Sequence, residues 1–381
     1  MIIGIHSIAA FKKQRTGVEE YAFQLIRHLA MLTEAREHRF LLYTNSEIPN
    51  PKSQILNKYK IPNKKFQTLN LPSNFEIRIL KCPILWTQFG LSLEMLKKEC
   101  DVLFIPAHVL PIVHPKNSVA AIHGLEYEYF PQYYSLWFRK YLKWATKYSA
   151  KRAKKIIAVS ENTKNDLIKF YGVDGKKIEV IHHGTEIPPA KIFTKNLSGQ
   201  VKFQNYILYI GRIESKKNIS GMIKALEIFK EKYKLPHKLI LAGSSGFDYK
   251  DTRYKILNIK YKDDILETGY VNNEKKEQLY NNASLFLFPS FYEGFGMPIL
   301  EAQARGVPVI TSNISSMPEV GGQGALYVEP NDYNDIADKI YALLTNENLR
   351  NDMISKGYEN VKRFGWEKCA RETLKYIIHN T

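Results

Sequence analysis

Short apolar runs alternate with longer stretches of helical period along almost the whole chain. Met1-Ile2-Ile3-Gly4-Ile5-His6 reads as a first strand. Thr16-x-x-Glu19 forms a capping box for a helix whose apolar face is Val18, Tyr21, Ala22, Leu25 and Leu29. Phe40-Leu41-Leu42-Tyr43 returns as a strand, and the polar, Pro/Asn-rich region after it reads as irregular to about Pro72. Residues 102–105, 119–122, 156–159 and 178–181 supply further strands of the buried type, and Ser160 caps a helix that Gly172 ends. From Gly184 to Asn205 the pattern stops in Pro188-Pro189 and a Lys/Asn/Ser/Gly-rich stretch, which marks an interdomain linker. A second series follows at 206–210, 238–242, 265–268, 284–288 and 307–310, with helices between. Strand and helix in strict alternation predict parallel α/β sheets, and 381 residues exceed what one core normally serves, so two domains are expected.

One segment carries most of the chemical information. Glu293 and Glu301 bracket Gly294-Phe295-Gly296-Met297-Pro298, directly after the apolar strand that ends at Phe288-Pro289. Pro298 suits a first helical position, because its missing N–H would have no partner there. Strand, glycine loop and helix start together present backbone N–H groups and a partial positive charge, which suits an anionic ligand. A second loop, Gly211-Arg212-Ile213-Glu214-Ser215-Lys216-Lys217-Asn218, also follows a strand, and a tight turn there brings Arg212 and Lys217 to one anion. Arginine offers a planar fork and lysine a compact point charge, which fit two faces of a diphosphate. Read alone, the same loop is a solvated basic stretch in a basic protein.

These blocks, in this order, resemble glycosyltransferase family 4, specifically its mannosyltransferase-like group 1 branch. The Glu293-to-Glu301 block is similar to the family's donor-site signature, and Gly211–Asn218 to its Gly-Arg…Lys element. Ala121-Ile122-His123-Gly124 resembles a strand ending in histidine, and Phe364-Gly365-Trp366-Glu367-Lys368 the aromatic-Ser-Trp-Glu-Lys stretch, with Gly365 in place of the serine. The likeness runs from Gly17 to the C-terminal helix. It implies the GT-B fold, two Rossmann-like domains facing each other across a cleft. Residues 1–190 would form the acceptor-binding domain, 191–365 the nucleotide-sugar domain, and 366–381 a helix packing back towards the first. Ligands of such sheets bind beyond the carboxyl ends of strands, and His123, Gly211 and Pro289 all follow predicted strands.

The resemblance also assigns roles. His123 would orient the donor sugar, Glu293 would read its hydroxyls, and Arg212 and Lys217 would hold the diphosphate. Gly211, Gly294, Phe295, Gly296 and Met297 would line the donor, Glu301 would bind its ribose, and Gly17 would leave room for the diphosphate or acceptor. The loop around Gly17 has only that one glycine, a thinner match than the rest. The implied reaction retains anomeric configuration, with GDP-mannose as the first donor and a UDP-hexose as the second. It needs no metal and no cofactor. The partners expected are a nucleotide-sugar and a glycan or lipid-linked glycan, with no nucleic acid. Acceptor identity is not legible; its site is expected in the loops 9–16, 72–81 and 107–115.

Composition narrows the alternatives. Three well-separated cysteines, Cys82, Cys100 and Cys369, support neither a disulfide framework nor a zinc site and fit a reducing compartment. The first apolar run has no basic leader, and no apolar stretch is long enough to cross a bilayer, so a cytoplasmic or peripheral protein is expected. The chain has no Asp-x-Asp, no Gly-x-Ser-x-Gly, no P-loop and no Gly-x-Gly-x-x-Gly. Two carboxylates also suit glycoside hydrolysis, but a hydrolase needs no diphosphate clamp. His182-His183 has no acidic or thiol neighbour in sequence and is not read as a metal site. A net charge of +17 attracts nucleic acid, anionic membrane or phosphate-bearing substrates alike. It therefore keeps a rival open, a non-catalytic transferase-like scaffold that binds through its basic surface. From Leu136 to Lys155 a helix carries Trp137, Tyr141, Trp144 and Tyr148 beside Lys140, Lys143, Lys147, Lys151 and Lys154. The two stripes suit adsorption to an anionic bilayer; the bland reading, and the favoured one, packs the aromatics into the first domain.

Overall fold

A parallel sheet covered by helices hides both faces, so its strands are apolar throughout rather than alternating. The chain forms two such sheets. The structure, a computed structural model, describes residues 1–12, 14–45, 71–82, 84–107, 109–187, 205–246 and 248–379. The first sheet contains β1 (Ile2–His6), β2 (Arg39–Thr44), β3 (Phe75–Ile79), β4 (Val102–Ile105), β5 (Ser118–Ile122), β6 (Lys155–Ala158) and β7 (Ile178–Val180). All seven are parallel, in the order β3-β2-β1-β4-β5-β6-β7. The second contains β8 (Tyr206–Ile210), β9 (Lys238–Ala242), β10 (Ile265–Gly269), β11 (Leu285–Phe288), β12 (Val309–Ser312) and β13 (Ala325–Val328), in the order β10-β9-β8-β11-β12-β13. Both orders reverse direction beside their first strand, which is Rossmann topology. The two-domain GT-B arrangement implied by the resemblance is therefore present.

The helices on the first sheet are α1 (Gly17–Leu29), α2 (Ser92–Met95), α3 (Glu126–Tyr129), α4 (Leu136–Arg152) and α5 (Glu161–Tyr171). Those of the second half are α6 (Ile219–Tyr233), α7 (Tyr249–Leu257), α8 (Asn273–Asn282), α9 (Met297–Gln303), α10 (Met317–Gly321), α11 (Tyr333–Thr345), α12 (Glu347–Val361) and α13 (Trp366–Ile378). The predicted caps form: Thr16 N–H donates to Glu19 at 3.1 Å, Ser160 accepts from Thr163 N–H, and Gly172 ends α5 at φ 61°. Helix α13 follows the second domain in sequence, yet Trp366, Cys369, Ala370, Leu374 and Ile377 lie in the core with Ile3, Ile5, Tyr21 and Leu25. Where the chain returns, Thr185 pairs with Gly365, and a Cβ on Gly184 would lie 2.2 Å from Trp366 N. Only glycine allows the two crossing segments to touch. Most of the linker, including Pro188-Pro189 and the 190/191 join, lies outside the described residues.

Two strands depart from the sequence reading. Residues 75–79, expected within an acceptor loop, form edge strand β3, half exposed with Ile77 and Ile79 open to solvent. Ala325–Val328 adds β13 at the opposite edge of the second sheet, an apolar run of four between glycines and Glu329-Pro330 that was too short to stand out. β12 also begins at Val309 rather than Val307.

Candidate functional site

The carboxyl ends of the two sheets face each other. Beyond β8 runs Gly211–Lys217 and beyond β11 runs Pro289–Gly296, while beyond β5 of the other domain stands His123. Hydrogen bonds cross the gap and fix this approach. Ser160 Oγ and Thr163 Oγ1 donate to Gly294 O at 2.7 and 3.2 Å. Tyr292 OH donates to Asp166 at 2.7 Å and accepts Leu125 N–H at 3.0 Å. At Gly294 the contact is closest of all: a Cβ there would fall 1.5 Å from His123 O. The glycine loop of the second domain thus rests directly on the His123–Gly124 turn of the first.

Within that junction Lys217 Nζ donates to both carboxylate oxygens of Glu293 at 2.7 Å, and both side chains are largely buried. The loop is held by Asn218, a buried residue in left-handed conformation at φ 58°. Its Nδ2 donates to Pro289 O and Pro330 O, and its Oδ1 caps α6 through Gly221 N–H. Arg212 is exposed, and its guanidinium makes no ion pair among the described residues. Tyr209 OH donates to Arg212 O at 2.8 Å, and a Cβ on Gly211 would lie 2.6 Å from that hydroxyl, so the clamp loop requires glycine there. Gly243-Ser244-Ser245-Gly246 packs beneath it: a Cβ on Gly243 would meet Gly211 O at 1.8 Å.

The second carboxylate is also partnered. Glu301 accepts from Lys276 Nζ at 2.7 Å and Tyr280 OH at 3.1 Å. Burial pushes its acid strength down, but the charges of Lys276 and Arg305 prevail and hold the carboxyl below its ordinary range. Each oxygen keeps a lone pair for another donor. Across the cleft Gly17 faces this end of the loop, since a Cβ on Gly17 would meet Met297 Cε at 3.5 Å. Met297 opens α9 and Gly296 precedes it at φ 107°, a conformation that favours glycine. Phe295 is buried against His183 and Phe364, so only its backbone faces the loop's neighbours; Ser316 Oγ donates to its carbonyl at 2.7 Å.

His123 is oriented by Nε2 at 2.6 Å from Pro106 O, an atom that can only accept, so Nε2 carries the proton. Its ring stands edge-on to Tyr21 and 5.3 Å from His183. His183 is enclosed among Tyr21, Phe295 and Trp366, and burial lowers its pKa well below the usual value. His182 does have an acidic partner, contrary to the sequence reading: Nε2 donates to Glu319 Oε1 at 2.6 Å. That glutamate comes from α10 of the other domain, and it also accepts Glu161 N–H at 3.0 Å. Among the described residues no cluster of three His, Cys, Asp or Glu is placed to hold a metal ion.

Several of these residues escaped sequence reasoning. Lys276 and Tyr280 sit four apart on one face of α8, a polar helix with no motif. Ser315 and Ser316 follow β12 and pin the loop, Ser315 Oγ accepting Glu293 N–H and donating to Glu293 O, which Ser316 Oγ also approaches at 2.9 Å as it donates to Phe295 O. Their only signal was a serine pair at a strand end.

Comparison with known proteins agrees with this geometry. Residues 15–187 match the model described as Glycosyltransferase Family 4, and residues 193–360 match that described as Glycosyl transferases group 1. The chain is 28% identical over 384 residues to O-antigen chain mannosyltransferase B of Escherichia coli, covering 97% of this chain and 98% of that one. It is 28% identical over 267 residues to O-antigen chain mannosyltransferase RfbU of Salmonella typhimurium, 69% of this chain and 71% of that one. Sucrose-phosphate synthase from Thermosynechococcus elongatus shares the fold with a TM-score of 0.73 at 18% identity, over 99% and 98% of the two chains. Both halves of the chain match in the order the two domains require, and the protein belongs to the group 1 glycosyltransferases of the family 4 type.

Proposed function

We propose that this glycosyltransferase moves a hexose, mannose from GDP-mannose first, to a hydroxyl of a glycan or lipid-linked glycan in polysaccharide assembly. Transfer would proceed with retention and without a metal ion, in the cytoplasm or at the inner face of the membrane. The observation that carries the reading is the Lys217–Glu293 pair at the mouth of a glycine loop pressed against His123. Without donor, cation and carboxylate satisfy each other. With donor, the diphosphate would take Lys217 and exposed Arg212, and the sugar hydroxyls would take Glu293. Charge developing on the leaving phosphate would then meet preorganised cations and N–H groups, the arrangement that lowers such barriers most. Glu301, held ionised with spare lone pairs, would accept the ribose hydroxyls. His123, fixed through Pro106 O, would position the sugar rather than attack it. The mannosyltransferase relatives support the choice of sugar.

Calorimetric titration of GDP, UDP and ADP with EDTA present tests this on wild type and Lys217→Ala. Preferential GDP binding that the variant loses is the expected result. UDP preference would overturn the sugar. Binding of none of the three would favour the scaffold reading, and strict dependence on added divalent cation would overturn metal independence.

A further inference from the structure

Of the aromatic stripe of α4, Tyr148 packs against the first domain's core, but Trp137, Tyr141 and Trp144 do not. Trp137 is 83% exposed and Trp144 47%, with Leu136, Phe138 and Tyr141 also open. The expectation that these rings pack into the first domain therefore holds for Tyr148 and fails for the other three. The reason lies at α4's other face, where Ala145, Thr146, Ser149 and Ala150 are the buried residues. Small side chains seat this helix on the sheet, with Leu142 and Tyr148 partly buried beside them, and Leu136, Trp137, Phe138, Tyr141 and Trp144 point away.

A second exposed apolar set lies next to it. After β3 a π-helical turn (Thr87–Leu91) runs into α2, leaving Ile84, Leu85, Phe89, Leu93 and Leu96 exposed. The strap 110–113 joins the two: Gln88 donates to Leu110 O, Ser92 Oγ accepts Val113 N–H, Ser149 Oγ accepts Leu110 N–H, and Tyr148 OH donates to Ile112 O. Ile112 and Val113 on the strap are exposed as well. Three neighbouring segments thus present one apolar surface, far beyond the scattered single residues that need no explanation. Lys140, Lys147 and Lys151 flank it on α4, exposed and without an ion-pair partner among the described residues. The surface also leads to the cleft. Phe138 stacks on Tyr134 with ring centroids 6.3 Å apart, and Tyr134 OH accepts from Lys216, the neighbour of Lys217, at 3.4 Å.

We infer that this face docks on an anionic lipid bilayer, with the Trp137–Trp144 side of α4 and the 84–96 segment in the headgroup layer and the cleft rim beside it. Tryptophan suits that layer because its ring is apolar and its N–H stays wet, while unpaired lysines meet the anionic headgroups. A wholly water-exposed patch of this kind would invite aggregation, and the lysine flank selects a negatively charged plane over a neutral partner. The inference draws on the proposed function only for its use, delivery of a lipid-anchored acceptor to the cleft.

Co-sedimentation of the full chain with phosphatidylglycerol and with phosphatidylcholine vesicles, at low and high salt, tests it without any nucleotide. Failure here and failure of the donor reading are therefore separate results. Pelleting with phosphatidylglycerol alone, weakened by salt and lost in Trp137→Ser/Trp144→Ser, is expected. Lys140→Gln/Lys147→Gln should lower vesicle affinity by about fivefold for each lysine removed. Absence of pelleting at low salt would overturn the proposal, as would pelleting that the tryptophan variant retains. A dimer in sedimentation velocity that the tryptophan variant abolishes, without vesicle binding, would assign the face to a second copy instead.

Discussion

Gly294→Ala perturbs the contact between the two domains where it is closest. The added methyl would sit 1.5 Å from His123 O, against an ordinary contact of about 3.4 Å, so the domains must separate locally by about 2 Å. That shift breaks the Ser160 and Thr163 bonds to Gly294 O, each worth about 1 kcal/mol. For a domain of this size the loss lowers Tm by about 4–8 °C, a modest effect on a folded enzyme. Catalysis should suffer far more. Displacing His123 from the glycine loop by more than 1 Å predicts at least a 100-fold fall in kcat/KM for transfer. Gly172→Ala is the control: its strain is local, at φ 61° at the end of α5, and its Cβ would meet nothing within 4 Å. The assay is steady-state transfer from a nucleotide-sugar alongside thermal unfolding of the same preparations. Wild-type activity in Gly294→Ala would refute the idea that this junction sets the catalytic geometry. A collapse of Tm by tens of degrees would refute the claim that the contact belongs to the cleft rather than the core.

Glu301→Gln keeps the side chain's size but leaves partly buried Lys276 without its counter-charge. Donor affinity should drop by about tenfold to 100-fold, seen by calorimetry, while a nucleotide base read elsewhere keeps its preference. Stability should also fall in mild acid. Burial holds His6 neutral with its pKa lowered to about 4, and His183 lower than normal for the same reason. Depressed folded values mean that the unfolded chain binds the extra protons. The contribution of each is therefore complete above pH 6.5 and declines as pH falls, that of His6 being lost towards about 4. The slope is at most about 1.4 kcal/mol per pH unit for each histidine. Thermal melts across that range should show the decline, and His6→Gln should flatten it; an unchanged profile would deny His6 any part.

What the sequence disclosed follows from how the fold is built. Central strands such as β4 and β5 are wholly buried, so their apolar runs were unmistakable, and the glycine-flanked loops at their ends carried the family signature. Edge strand β3 is half exposed and its mixed composition hid it, while β13 is an apolar run too short to stand out. Contacts such as Glu319 with His182, or Tyr280 with Glu301, join residues distant in sequence through the fold, and no local pattern encodes them. Helix α4 misled for another reason. A large aromatic ordinarily marks the buried face, but here small residues made most of the packing seam and released Trp137, Tyr141 and Trp144 to the surface.

The return of α13 to the first domain bears on how the chain is made. On a ribosome, Ile3, Ile5, Tyr21 and Leu25 emerge early, but the helix that covers them begins 181 residues after Thr185. At a synthesis rate of about 5–20 residues per second, that interval is about 10–35 s. During it the first sheet has an uncovered apolar face, while the second domain completes its own core. Until α13 arrives, the nascent N-terminal half therefore keeps apolar surface open that a chaperone would be expected to shield.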